Sequence, residues 1–426
     1  MDSTAFIIIA IISIAFLFLM LILALFEPGL AYKISKTPTL PLRSNDFIRM
    51  LGSLVDAQVY HHTRIEVLTN AEVFYEAELE AIRAAQRSVN LEAYIFQQGE
   101  VTRRFVEALT ARAREGVQVR LVLDSIGSFA TRESYFEELL AAGGRVAWYH
   151  PVKWYTLPRI NNRTHREIIV IDGHVGFVGG AGFADHWIKG RRGKPRWRDT
   201  MFRVTGDGVT GIQSVFAENW LEASGEILAG SEFFPFSEVE SQSSVMIIDS
   251  SPTTGMSTRA RILYQTLLAS AQKQILITTP YFLPDRSARM EMMRAIRERG
   301  VEIKVITPGR QIDHMLTRRS SRRLYGDLLR AGAQIYEYDP AMIHAKTMIV
   351  DGAWSVVGST NFDNRSFGIN DEINLAAFDG PLAARLIEDF ERDVEESHSV
   401  SLEEWKRRSL FERAHEMLGW LLERQQ

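Results

Sequence analysis

The run His344-Ala345-Lys346-Thr347-Met348-Ile349-Val350-Asp351-Gly352 is followed by Val356-Val357-Gly358-Ser359-Thr360-Asn361 and later by Asn370-Asp371-Glu372, a set of groups suited to handling a phosphate ester. Strand periodicity puts His344 and Lys346 on one face. The imidazole supplies a nucleophile or a proton. Lys346, the Ser359 hydroxyl and the Asn361 amide supply hydrogen-bond donors for phosphate oxygens, the charged one strongest. Glu372 or Asp371 would hold the imidazole in one tautomer, the task of a carboxylate in a histidine-based relay. A lone histidine in a strand is usually structural. The combined spacing, His-x-Lys-x4-Asp-x6-Gly-Ser-x-Asn, argues for chemistry instead.

A second copy lies 179 residues earlier: His165-Arg166-Glu167-Ile168-Ile169-Val170-Ile171-Asp172-Gly173, then Phe177-Val178-Gly179-Gly180-Ala181-Gly182. The pattern departs here, with Glu167 where Lys346 would be and Gly182 where Asn361 would be. At about 5 Å from a phosphate and an effective dielectric near 20, that exchange turns an attraction of ~3 kcal/mol into a repulsion of similar size. Arg163 shares the strand face of His165 and Glu167, while its counterpart Met342 is neutral, so Arg163 is expected to supply the missing cation. Arg166 faces the other way. Two other arrangements stay open: Glu167 pairs with Lys346 and the site is dead, or Glu167 points aside and the second motif carries the phosphate alone.

The elements that position these groups are duplicated too. Ala85-Gln86-Arg87-Ser88-Val89-Asn90-Leu91 is echoed by Ala271-Gln272-Lys273-Gln274-Ile275-Leu276-Ile277, and Tyr94-Ile95-Phe96 by Tyr281-Phe282. In each half an apolar strand leads to a helical stretch (102–114; 287–299) and then to a buried strand opening at Gly116-Val117 or Gly300-Val301. A second helix, closed by Ala142-Gly143-Gly144 or Ala331-Gly332-Ala333, leads to a third strand. Two α/β halves are expected, each a mostly parallel sheet flanked by helices. The first carries an inserted loop at about 151–162, a place for substrate contacts.

Composition limits the alternatives. With 46% hydrophobic residues the chain of 426 residues has material for a large core, and no Cys is present for a disulfide, a thiol nucleophile or a thiolate metal site. The net charge of −4 offers no global basic field, and no aromatic platform for bases is interleaved with the basic clusters, so nucleic acid is a poor partner. Those clusters, Arg191, Arg192, Lys194, Arg196 and Arg198, and Arg318, Arg319, Arg322 and Arg323, are either solvated surface or contacts for anionic lipid headgroups. From Ala5 to Phe26 the sequence is uncharged and almost wholly apolar, about 33 Å of helix, enough to cross a bilayer core. Asp2 before the run and Glu27-Pro28-Gly29 after it suit a retained anchor better than a cleaved signal. Lys33, Lys36 and Arg43 just beyond it place the body in the cytoplasm. The expected division is 1–27 anchor, 28–60 juxtamembrane linker, 61–245 first half, 246–400 second half and 401–426 an amphipathic helix that packs on the body or lies in the lipid interface.

With Asn90-Leu91-Glu92-Ala93-Tyr94-Ile95-Phe96, Trp197-Arg198-Asp199-Thr200, Pro280-Tyr281-Phe282 and Gly358-Ser359-Thr360-Asn361-Phe362-Asp363-Asn364-Arg365-Ser366-Phe367 added to the two motifs, the chain resembles the phospholipase D superfamily over about 65–395, most closely its bacterial cardiolipin synthase branch. The resemblance implies duplicated phospholipase D-like halves sharing one site, and a phosphodiester reaction through a phosphohistidine with no metal and no other cofactor. It implies His165 as nucleophile and His344 as general acid and base, with Glu372 supporting His344, Asp199 supporting His165, and Asp172 and Asp351 as structural turn residues. Lys346, Ser359 and Asn361 are the implied phosphate cradle. The expected activity is a membrane-anchored phosphatidyltransferase of the bacterial inner membrane acting on phospholipids such as phosphatidylglycerol. A hydrolase, a nuclease or phosphodiesterase, and a dead lipid-binding homologue are the alternatives.

Overall fold

The structure, a computed structural model, describes residues 3–25, 34–154, 160–190, 193–237, 239–241, 243–252, 258–409 and 412. Among these, seven strands form one sheet, in spatial order Thr63–Thr69, Thr200–Gly206, Val175–Gly179, Ile168–Ile171, Ser88–Ala93, Gln118–Asp124 and Arg145–Tyr149. Nine form the other: Val59–Tyr60, Ser244–Ser250, Glu372–Phe378, Trp354–Gly358, Thr347–Val350, Gln274–Thr278, Glu302–Pro308, Gln334–Tyr338 and Ser397–Ser399. The seven-strand order recurs inside the nine, so the duplication seen in sequence is a duplication of topology.

The sheets are mixed rather than mostly parallel, which corrects the expectation. Only Ser88–Ala93, Gln118–Asp124 and Arg145–Tyr149, and their counterparts Gln274–Thr278, Glu302–Pro308 and Gln334–Tyr338, run parallel. Parallel neighbours need a long crossover, here helices such as Glu100–Arg114 and Arg286–Arg299. The strands that follow each motif histidine are joined by short turns and can only be antiparallel. At those turns Asp172 and Asp351 take left-handed backbone, φ 54° and 53°, each followed by a left-handed glycine. Their carboxylates each accept three amide hydrogens, from Gln86, Arg87 and Ser88 and from Gln272, Lys273 and Gln274. Each aspartate thus pins its hairpin to the start of the neighbouring strand of its own half, Ser88–Ala93 or Gln274–Thr278.

The two sheets pack against each other. Ile168, Val170, Val178 and Phe202 share one buried cluster with Ile247, Val357, Ile373 and Leu375, while helices cover the outer faces with clusters of their own. The parallel strands of both halves end on the edge from which each motif histidine enters the sheet, and the connections there build the site.

At the N-terminus a helix runs Ser3–Leu25, with Phe6, Ile12 and Leu17 more than half exposed, so nothing in the described chain covers its apolar side chains. Those side chains are described only as far as Leu19, and among the described residues no helix is long and apolar enough to cross a membrane. At the other end only Leu402–Lys406 forms a described helix; Trp405 lies against Gly326 and donates to the Arg322 carbonyl at 2.7 Å, so this segment packs on the body. Residues 410, 411 and 413–426 of the expected amphipathic helix, and Arg191 and Arg192, lie outside the described residues. Four of the nine residues in the basic clusters are paired: Arg196 with Glu72 at the surface, Arg198 with Asp393, and Arg318 and Arg322 with the buried Glu337. These cations do not form a free surface for lipid headgroups.

Candidate active site

Both motif histidines sit on short extended segments that bridge to the opposite half. Thr164 pairs with Asp371, His165 N–H donating to the Asp371 carbonyl at 2.8 Å; Arg198 pairs with Ile343, His344 N–H donating to the Arg198 carbonyl at 2.7 Å. Each bridge sets a histidine beside the carboxylate that follows its partner residue. His165 Nδ1 lies 3.1 and 3.0 Å from the two Glu372 oxygens, and His344 Nδ1 lies 2.8 Å from Asp199 Oδ2. The supporting carboxylates are therefore exchanged relative to the expectation: Glu372 holds His165 and Asp199 holds His344. The cause is the cross-half pairing, which no spacing within one half reveals. Asp371, the other candidate, turns its side chain to the Tyr149 hydroxyl at 2.6 Å.

Lys346 Nζ stands over His344, 2.8 and 3.1 Å from the ring nitrogens, and reaches the Gly180 carbonyl at 3.4 Å. A Cβ at Gly180 would come within 2.5 Å of this ammonium, so the glycine that replaces Ser359 in the first half is what admits the lysine of the second. Burial lowers the Lys346 pKa to about 8 against the pull of Asp199 and Glu372. Burial and the Lys346 charge also hold His344 below the usual histidine range, favouring neutral imidazole. Burial alone would raise Asp199, but His344, Lys346 and the Trp187 indole N–H at 2.9 Å outweigh it and keep this carboxylate ionised.

Two expected phosphate ligands are elsewhere engaged. The Ser359 hydroxyl, fully buried, donates to Glu372 Oε2 and takes the Ile373 amide at 3.1 Å, so it braces the carboxylate behind His165 rather than facing substrate. Arg163 is spent on the Asn162 and His150 carbonyls, the Ser125 hydroxyl and Asp124, because it fills the gap between the inserted loop and the strand Gln118–Asp124. It cannot also be the replacement cation. Arg166 lies on the opposite face, bound by Glu218, Asp249 and the Val215 carbonyl. Asn361 remains in the site, 4% exposed, with its Oδ1 lacking a hydrogen-bond partner among the described residues.

Glu167 neither pairs with Lys346 nor faces the cleft as a charge. Its Oε1 accepts the Tyr94 and Ile95 amides at 3.2 and 3.3 Å, and Oε2 is buried. Burial pushes its pKa well above the carboxylate range, which favours the neutral acid, against the pull of the Ile95 and Tyr94 amides and of Lys346. Aromatic rings missed in the sequence complete the walls. Tyr94 meets His165 edge-on at 5.3 Å, and Trp187 and Trp197 lie 5.7 and 5.1 Å from the His344 ring. Tyr94 and Trp197 each stood in a motif that did not place them on a histidine; Trp187 stood in none. Across the cleft, Arg365 binds Asn161 Oδ1 at 2.8 Å, tying the end of the inserted loop to the second half; the loop's residues 155–159 lie outside the described residues.

A duplicated α/β body with two imidazoles, each held at Nδ1 by a carboxylate from the other half, is a protein built around one shared two-histidine site. A profile described as "Cardiolipin synthase, PLD-like domain" matches residues 79–189 and 264–394. Cardiolipin synthase 2 of Bacillus anthracis is 31% identical over 388 residues, 89% of this chain and 75% of that one. The major cardiolipin synthase of Bacillus subtilis is 33% identical over 382 residues, 89% and 79% of the two chains. Among solved structures, phosphatidylserine synthase from Haemophilus influenzae shares the fold with a TM-score of 0.66 at 14% identity, covering 89% of this chain and 96% of that one. The chain belongs to the cardiolipin synthase branch of the phospholipase D superfamily.

Proposed function

We propose that this protein is a membrane-anchored phosphatidyltransferase that makes cardiolipin or a related phospholipid by way of a phosphohistidine. The observation that carries the reading is the pair of crossed histidine–carboxylate contacts. Glu372 at Nδ1 of His165 leaves Nε2 as the nucleophile and stabilises the positive charge that develops on the ring. Nε2 attacks phosphorus, the bond to the donor's alcohol breaks, and that alkoxide takes a proton from His344. The neutral His344 then removes the proton of an acceptor hydroxyl, whose oxygen attacks phosphorus and releases His165. A bound phosphodiester anion beside Lys346 and His344 restores the proton that burial alone disfavours on both.

The substrate class follows the relatives, with phosphatidylglycerol as donor. The helix Ser3–Leu25, apolar in sequence and with exposed side chains such as Phe6, Ile12 and Leu17, supports a single-pass anchor in the bacterial inner membrane with the body on the cytoplasmic side. The division at 27, 60, 245 and 400 is part of the same proposal.

Purified full-length protein in mixed micelles with phosphatidylglycerol should yield cardiolipin and glycerol by lipid mass spectrometry, in the presence of EDTA as in its absence, with a phosphatidyl adduct on His165 trapped by rapid quench. Phosphatidic acid as the only product would make it a hydrolase, and no product from any phospholipid would make it a remnant.

A further inference from the structure

We infer that Glu167 is a positioning residue that replaces the first motif's lysine in order to hold the Tyr94 ring against the nucleophile His165. This rests on the proposed role of His165 and goes beyond it.

The register of the two halves supplies the reason. Val89 pairs with Ile171 and Ile275 with Val350, and the bridges Phe96–Phe183 and Phe282–Phe362 continue that match past the strand ends. Counting back two residues from each bridge, Tyr94 occupies the place of Pro280, one step off the sequence match of Tyr94 with Tyr281. A proline has no N–H to satisfy, whereas Tyr94 brings a part-buried amide that needs an acceptor. Glu167 provides it, with one oxygen taking both Tyr94 and Ile95 N–H. A lysine at 167 would bring a third donor to two others.

Gly182 belongs to the same change. A Cβ there would stand 2.9 Å from Glu167 Oε1 and 2.8 Å from the Ile95 carbonyl and Cβ, so the asparagine found at 361 in the other half cannot share this space with the glutamate. Glu167 and Gly182 are thus one device, and they keep Tyr94 edge-on to His165. Gly127 backs the arrangement, since a Cβ on it would meet the Tyr94 ring at 2.6 Å.

The test is a set of variants of the full-length protein assayed for transfer from phosphatidylglycerol, with the melting temperature measured for each. Glu167→Gln keeps the carbonyl acceptor and should stay within about 3-fold of wild type, while Glu167→Ala and Tyr94→Ala should each lower kcat by about 10-fold or more with KM little changed. The double variant should lie no more than about 3-fold below the slower single one, because both act through the same ring. Glu167→Met substitutes in the cycle if the alanine variant does not fold. Glu167→Lys should fall below wild type. A lysine variant as fast as wild type or faster, a fully active alanine variant, or losses that multiply in the double would overturn the inference. His165→Ala is run alongside: retained turnover there would break the proposed role of His165, a result distinct from any of these.

Discussion

The two halves share a topology and divide the work unequally. The second supplies the cation, Lys346, and the hydroxyl and amide that brace Glu372, namely Ser359 and Asn370. The first supplies the walls: Tyr94 on its own histidine, and Trp187 and Trp197 on the histidine of its partner half. Where the second half has Lys346, Ser359 and Asn361, the first has Glu167, Gly180 and Gly182. The space beside the glycines is filled by neighbours, at Gly180 by the lysine from across the interface and at Gly182 by Ile95 and the glutamate of its own half. One buried ammonium, that of Lys346, stands where two motif copies offer two lysine positions, and position 167 instead accepts the Tyr94 and Ile95 amides.

The sharpest way to break the comparison is to remove either histidine. Neither half can stand in for the other, so His165→Ala and His344→Ala should each cost at least about 10³-fold in turnover, with unchanged thermal unfolding as the control. Residual activity above a tenth of wild type in either would mean that one half works alone.

The lysine asymmetry comes next. Lys346→Ala should lower kcat/KM by about 10²- to 10³-fold, the size of losing a preorganised charged donor. Its folded pKa is depressed to about 8, so the cation is present below that pH and lost above it. The wild-type kcat/KM for an anionic lipid should accordingly fall as pH rises through about 8, and the alanine variant should lack that limb.

The crossed carboxylates give a smaller, directional effect. Asp199 favours protonation of His344, so Asp199→Asn should lower the pKa of His344 further and shift the corresponding limb of the kcat profile to lower pH. Glu372→Gln should leave that limb in place and slow formation of the phosphohistidine. The opposite assignment of limbs would restore the pairing expected from sequence.

Arg163 separates structure from catalysis. Arg163→Ala breaks a buried contact with Asp124 and should destabilise the fold by about 2–4 kcal/mol in denaturant titration, while the folded enzyme keeps kcat within about 3-fold. A large kcat loss at unchanged stability would return Arg163 to the phosphate.

The sequence by itself determined the duplication, the two histidines and the family, because those depend on local spacing: a histidine and lysine two apart on a strand share a face whatever surrounds them. It also exposed Glu167 and Gly182 as the departures. What it left undecided was every contact between residues distant in the chain. The exchange of Asp199 and Glu372 between histidines follows from two short bridges joining 164 to 371 and 198 to 343. The engagement of Arg163 follows from a loop folding back on it, and the mixed sheets from where short turns replace helical crossovers. The purpose of Glu167 needed the register that sets Tyr94 at the place of a proline. Those decisions belong to tertiary structure because a hydrogen-bond donor or charge, once buried, must take whichever partner the packing brings within reach, and sequence separation has no bearing on that.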